Sequence, residues 1–173
     1  MGSEMCIRDS VLINNAGINR IDRLEDINSI DFEEVLKVNL KGPFYLSKFV
    51  SRKMLNKGGR IVNIASIWSK ITREGRTSYV ASKAGLDGIT RATSVDLAGA
   101  NILVNTVSPG FTLTDLTRRS LTAVEMQELV SKIPLGRMAE TEEVAELVAF
   151  LASDKNTYIT GQNIVIDGGF TNV

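Results

Sequence analysis

A serine at position 66, a tyrosine at 79 and a lysine at 83 are the side chains whose types and spacing suit proton chemistry. Tyr79 and Lys83 stand four apart in a segment of good helical character, which puts both on one face, a turn from each other. A free phenol, with a pKa of ~10, is a poor proton donor or acceptor near neutrality; a neighbouring ammonium favours the phenolate and lowers that value. A tyrosine tuned in this way, beside a serine hydroxyl able to hold a carbonyl oxygen, makes a general acid for reducing a ketone or a base for oxidising an alcohol. Alone, Tyr-x-x-x-Lys equally describes a half-buried helix tyrosine beside a solvated lysine.

The elements that must position these groups can be read from pattern. Arg60 to Ala65 is a short, β-branched apolar run, hence a buried strand, and Ser66 closes it at the carboxyl end, where open α/β sheets place their chemistry. Val11 to Asn14 reads as another buried strand with Asn15-Ala16-Gly17 as the loop leaving it. Asp31 is expected as a helix N-cap with Glu34 as its capping-box partner. Phe32, Val35, Leu36 and Asn39 then fall on one stripe, so Asn39 stands where an apolar residue is expected and needs a hydrogen-bond partner. Pro43 lacks the N–H that would pair with the Asn39 carbonyl, which is thereby released. The helix runs on through Phe44, Tyr45, Phe49 and Met54 until Gly58-Gly59.

Around Tyr79, the residues Ala81, Ala84, Gly85, Gly88 and Ala92 form a stripe of small side chains that implies close approach to another backbone. Ile102 to Val107 is the next strand, stopped by Ser108-Pro109-Gly110. Asp115 is the expected N-cap of one or two short helices between Leu116 and Ile133, in which Arg118-Arg119 could meet an acidic substrate but reads first as a solvated pair. Thr141 is the expected cap of a last helix whose Val144, Leu147, Val148 and Leu151 face the core, and Asn163 to Asp167 is the closing strand.

Composition bounds the alternatives. The 173 residues are 43% hydrophobic, with 20 basic and 20 acidic side chains, enough for one domain with a sizeable core and without a charge excess that would attract nucleic acid or an anionic membrane. No apolar run approaches the ~20 residues of a membrane span. The absence of histidine excludes Ser-His-Asp and Cys-His catalysis and His-ligated metal, and the single cysteine, Cys6, excludes an internal disulfide, which fits a reducing, cytoplasmic compartment.

Six ordered stretches resemble the short-chain dehydrogenase/reductase family: Asn14-Asn15-Ala16-Gly17, Val38-Asn39-Leu40, Gly59 to Ser66, Tyr79-x-x-x-Lys83, Asn105-x-x-x-Pro109-Gly110 and Ile164-x-x-Asp167-Gly168-Gly169. The resemblance runs from about Val11 to the C-terminus. It implies an α/β fold, a partial Rossmann-type doubly wound parallel sheet made of strands four to seven of the family fold, with the strand at Val11 left as an apolar edge. It implies NAD or NADP as cofactor and a small-molecule carbonyl or secondary alcohol as substrate. Ser66 would polarise the substrate oxygen, Tyr79 pass the proton, and Lys83 lower the Tyr79 pKa and bind the cofactor ribose. Asn39 would hold a relay water through its backbone carbonyl. Asn14, Ala16 and Gly17 would stabilise the sheet and admit the adenosine. Pro109, Gly110, Thr112 and Thr114 would cup the nicotinamide, Thr112 through its backbone and Thr114 through its hydroxyl. The segment after Asp115 would be a mobile substrate lid, and the helix of Tyr79 with the long one before it would build a homodimer or homotetramer interface.

The chain contains no Gly-x-x-x-Gly-x-Gly or Gly-x-Gly-x-x-Gly, and the resemblance puts that phosphate loop, with the residue that selects NAD or NADP, upstream of Val11. Residues 1–10 match nothing in the family, and Glu4 to Ser10 looks like the translation of a sequencing-library adaptor, in which case Cys6 says nothing about the compartment. The expected division is a non-native segment 1–10 and, in 11–173, the C-terminal part of a single domain. Within the family the chain is similar to the 3-oxoacyl-[acyl-carrier-protein] reductases, although Ala100-Asn101 stands where many of them carry a basic residue. A sugar- or polyol-directed dehydrogenase and a catalytically silent fragment are the alternatives.

Overall fold

The computed structural model describes residues 11–173, without the side chains of Leu116 and Ser120; the expected adaptor segment and Cys6 lie outside the described residues. Four strands, β1 (Val11–Asn14), β2 (Gly59–Ile64), β3 (Ile102–Pro109) and β4 (Asn163–Ile166), form one parallel sheet in the order β1-β2-β3-β4. The register sets Val11 beside Arg60, Ile61 beside Val104 and Val107 beside Ile164. β3 runs two residues beyond the expected stop: Pro109 still pairs with Ile166, and the Gly110 N–H donates to the Ile166 carbonyl. A proline is tolerated there because it closes the strand.

Each strand sends alternate side chains to opposite faces, and both faces are covered. On one, helices α2 (Gly42–Met54) and α3 (Thr77–Ala98) enclose Met54, Ile61, Ile102 and Val104, all fully buried. On the other, α6 (Thr141–Ala152) covers Val62 and Val107 with Leu151, backed by Val144, Leu147 and Val148 as the sequence leads one to expect. Burying one such side chain is worth about 1.5–3 kcal/mol, so these two clusters hold the layers together. β1 has no neighbour on its outer side among the described residues, and Val11 and Ile13 are 45% and 47% exposed.

The carboxyl ends of the strands are polar beneath the α2–α3 face. Asn14 Nδ2 donates to Asn63 Oδ1 at 2.7 Å and to Ser47 Oγ at 3.3 Å. Asn63 Nδ2 donates in turn to Thr90 Oγ1, which also accepts from Thr106 Oγ1 at 2.7 Å. One buried polar row thus ties α2, three strands and α3.

Several helix starts differ from expectation. α1 (Ser29–Leu36) is capped by Asn28, whose side chain accepts from the Ile30 N–H; Asp31 and Glu34 lie inside the helix, facing Arg20. Asn and Asp are about equal caps, so the earlier of the two won by position. α4 (Asp115–Ser120) is capped by Thr114 rather than Asp115, and α5 (Ala123–Val130) by a Thr122–Glu125 capping box. In α6 the cap position is Glu140, and Thr141 is the first helical residue.

Between α1 and α2 the helix widens into a π turn over Lys37–Lys41, in which the Gly42 N–H donates to the Lys37 carbonyl five residues back. Pro43 follows in the first turn of α2. Single π turns of this kind recur at functional sites.

Candidate active site

Asn39 sits in the π turn and is fully buried. Its side chain has the partners that its burial demands: Oδ1 accepts from the Ile18 N–H at 2.8 Å, Nδ2 donates to the Ile18 carbonyl at 2.8 Å, and Nδ2 also reaches Ser82 Oγ at 3.0 Å. Ser82 Oγ donates to the Tyr79 carbonyl at 2.7 Å. The asparagine therefore pins the loop after β1 to the first turns of α3. Ser82 was not singled out in the sequence, where a serine between Tyr79 and Lys83 carries no signal of its own.

Lys83 is 3% exposed and aims its ammonium at the end of β2, donating to the Ile64 carbonyl at 2.8 Å. Burial lowers its pKa from 10.5 to about 8. A Cβ on Gly17 would stand 3.3 Å from Lys83 Nζ and 3.5 Å from Asn39 Oδ1, so the loop approaches the ammonium as closely as only glycine allows with ease. Lys83 Nζ carries three donors, and the described residues supply one acceptor, leaving two N–H groups beside the Asn15-Ala16-Gly17 loop. A small cavity of about 160 Å3 adjoins it, lined by Ile13, Asn14, Asn15, Ala16, Val38 and Pro43. Paired vicinal hydroxyls such as a ribose presents fit this donor set.

Ser66 follows β2 by two residues and is buried, its Oγ accepting from the Trp68 N–H at 3.4 Å. Tyr79 lies in the first turn of α3, with its ring centroid 5.6 Å from Lys83 Nζ. Burial raises the phenol's pKa above its ordinary value, and the neighbouring Ser66 hydroxyl and the Arg76 guanidinium oppose that rise. The expected lowering by Lys83 is not what operates in this arrangement: the ammonium is turned to the Ile64 carbonyl, and the cation that favours the phenolate is Arg76.

Gly110 closely meets the residue that follows β4, since a Cβ there would fall 2.7 Å from Asp167 Cβ and 2.8 Å from its Cα. This contact turns the chain after Pro109 so that Thr112 bridges to Ala139. The Thr112 carbonyl accepts from Thr117 Oγ1 at 2.9 Å, and Thr114 Oγ1, as the α4 cap, accepts from the Thr117 N–H at 3.1 Å. Phe111 stands edge-on to Phe170 at 5.0 Å and to Trp68 at 6.5 Å, so an aromatic row runs from the Ser66 turn to the C-terminus. Beside Phe170 opens a cavity of about 810 Å3, lined also by Ile71, Ser131, Lys132, Ile133 and Pro134.

The family model described as enoyl-(acyl carrier protein) reductase matches residues 8–171. The chain belongs to the short-chain dehydrogenase/reductase family. It is similar to the 3-oxoacyl-[acyl-carrier-protein] reductase of Thermotoga maritima, 45% identical over 163 residues that make up 94% of this chain and 66% of that protein. It is 41% identical to the Pseudomonas aeruginosa enzyme of the same name, over 92% of this chain and 64% of the relative. The chain thus spans just under two thirds of the length of the curated relatives it matches. Among solved structures it resembles a gluconate 5-dehydrogenase from Burkholderia cenocepacia in complex with NADP and tartrate, with a TM-score of 0.90 and 32% identity over 95% of this chain and 65% of that one. A 4-hydroxyisoleucine dehydrogenase complexed with NADH superimposes with a TM-score of 0.91 at 35% identity, over 95% and 69% of the two chains. The α/β fold with a parallel sheet, expected from pattern and resemblance, is that of these relatives.

Of the residues that the sequence singled out, the structure brings Ser66, Tyr79, Lys83, Asn39 and Gly17 together at the carboxyl ends of β1 and β2. Asn14 and Ala16 line the small cavity, while Pro109 ends β3 and Gly110 follows it. The small-residue stripe divides: Gly85 admits Leu40, whose methyls would lie 3.1 Å from a Cβ, whereas a Cβ on Gly88 would meet nothing within 4 Å. Of the Arg118-Arg119 pair, both exposed, Arg118 meets Glu140 at 3.9 Å, in keeping with a solvated pair.

Proposed function

We propose that this chain carries the catalytic groups of an NAD(P)-dependent oxidoreductase that moves a hydride between the nicotinamide and a carbonyl or secondary alcohol. The observation that carries the reading is the convergence of two hydroxyls, Ser66 and Tyr79, with a buried ammonium that has two N–H groups to spare. The cofactor, when bound, supplies or takes the hydride. Ser66 Oγ holds the substrate oxygen, whose charge changes in the reaction, by donating a hydrogen bond to it. Tyr79 Oη passes the proton, as acid in reduction and as base in oxidation. Lys83 Nζ holds the ribose, and the Asn39 carbonyl, four residues before a proline without an N–H, holds the water through which protons reach the site.

The sequence relatives support a 3-oxoacyl thioester of acyl carrier protein as substrate. A sugar- or polyol-directed dehydrogenase is the second reading, favoured by similarity to the gluconate 5-dehydrogenase structure, which holds tartrate. Assembly as a homodimer or homotetramer through α2 and α3 is supported by the exposure of Phe44, Tyr45, Phe49 and Val95 on their outer faces.

The test is made on a protein of the relatives' full length that contains this chain. Tyr79→Phe is expected to cut turnover at least ~100-fold, the lower end of what positioned acid–base groups contribute, with cofactor affinity unchanged. Turnover within a few-fold of the parent would remove Tyr79 from the mechanism.

A further inference from the structure

The turn between Ser66 and Tyr79 buries a cation for which the described residues provide no anion. Arg76, at the N-cap of α3, is only 8% exposed, its Nε is buried without a partner, and among the described residues its guanidinium makes neither a hydrogen bond nor an ion pair. It lies over the Trp68 ring at 5.5 Å, with Arg73 over the same ring at 5.4 Å. Burial and the Arg73 charge both work against its protonated form. The stretch from Ser66 to Lys83 holds four cationic side chains and one carboxylate. That carboxylate, Glu74, is taken by Arg23, and the next one along α3, Asp87, is taken by Lys70 at 3.4 Å. Stacking on an indole offsets only part of the cost of burying a guanidinium, and natural structures rarely leave a buried charge unpaired.

The position says what the missing anion is. Arg76 precedes Tyr79 by three residues, close enough to act on the phenol electrostatically, and stacks on the residue whose N–H holds Ser66 Oγ. It therefore borders the place where the reacting oxygen must lie between Ser66 and Tyr79. The free Nε–H edge of a guanidinium is a planar fork that matches a carboxylate. We propose that Arg76 is a specificity-determining residue that binds a carboxylate of the substrate, so that the site takes a free hydroxy or oxo acid with its acid group a few bonds from the reacting carbon. The proposal rests on the reading of Ser66 and Tyr79 as the hydride-transfer site and, within it, favours the second substrate reading over the first, since a thioester offers no anion at that distance.

Trp68, the only tryptophan of the chain, reports on the site directly. Its fluorescence in this chain is titrated with 3-hydroxybutyrate, with methyl 3-hydroxybutyrate and with inorganic phosphate. The acid is expected to give a saturable change and the ester and phosphate none. Arg76→Gln is expected to weaken the response to the acid about 30-fold or more, as loss of one partner of a buried charge pair does. Arg76→Lys, which keeps the charge without the fork, is expected to fall between and shows that the loss is not a folding defect. No saturable change with the acid, an equal response to acid and ester, a response to phosphate alone, or an unaltered Arg76→Gln variant would each overturn the proposal. Tyr79→Phe retains acid binding. If a protein of the relatives' full length containing this chain then shows no hydride transfer although the acid binds through Arg76, the functional reading fails and the carboxylate site stands.

Discussion

Lys83 offers the sharpest quantitative test, because its burial makes stability depend on pH in a fixed direction. Its pKa falls from 10.5 to about 8 on folding. Between those values the unfolded chain holds more protons than the folded one, so stability rises with pH through that window. Below about 8 both states are protonated and the full cost of burying the ammonium is present; above 10.5 both are neutral and it is gone. The cost works out at about 3 kcal/mol at pH 7, falling to about 1 kcal/mol at pH 10. Lys83→Met removes the charge while keeping most of the volume, at the expense of the Ile64 carbonyl's partner, which shifts the difference between the two proteins by a constant. Urea unfolding of parent and Lys83→Met from pH 7 to 10 should show the parent gaining about 2 kcal/mol relative to the variant. All other groups titrate in both proteins and cancel. A difference that stays flat over that range would mean that Lys83 keeps its ordinary pKa, and the burial argument would be wrong.

Gly110→Ala should destabilise the chain by about 1–3 kcal/mol in urea unfolding, because its Cβ collides with the Asp167 backbone. Gly88→Ala, in a helix with open space around it, should instead add about 0.5–1 kcal/mol. Pro43→Ala should preserve the fold and, in a protein of the relatives' full length, slow turnover modestly, by returning an N–H that competes for the helix carbonyls; turnover equal to the parent would remove the proline from the relay. Calorimetric titration of this chain with NADH and NADPH should show no tight binding, since it contains no glycine-rich phosphate turn; micromolar affinity for either would refute that.

The strands were legible because apolar runs carry them, their order because the family resemblance implied it, and the chemical groups because Ser66, Tyr79 and Lys83 stand in a recognisable pattern. Helix caps were less so: Asn28, Thr114 and Glu140 each precede an equally plausible cap, and which residue takes the role depends on where the incoming chain turns. The π turn was half visible. Pro43 marked a disturbance at Asn39, but the widened i+5 bond at Gly42 has no signature of its own. The electrostatics were the least legible part. Spacing alone assigns Lys83 to Tyr79, and only three-dimensional placement shows the ammonium turned to Ile64 and the Arg76 guanidinium acting on the phenol.

The row from Ser47 through Asn14, Asn63 and Thr90 to Thr106 also works as an alignment gauge. A greasy sheet can slip by two residues and still bury its apolar side chains, because the same faces remain inward. Here such a slip of β1 or β3 against β2 would strand amide and hydroxyl groups in a dry layer, each without its counterpart. The row thus excludes misaligned sheets more than it stabilises the aligned one. It sets the height at which the chain leaves β1, β2 and β3, and so the level at which Gly17, Ser66 and Gly110 face one another. Replacing its members with aliphatic residues of equal size could raise melting temperature and still lower activity, by letting those three loops start from different floors.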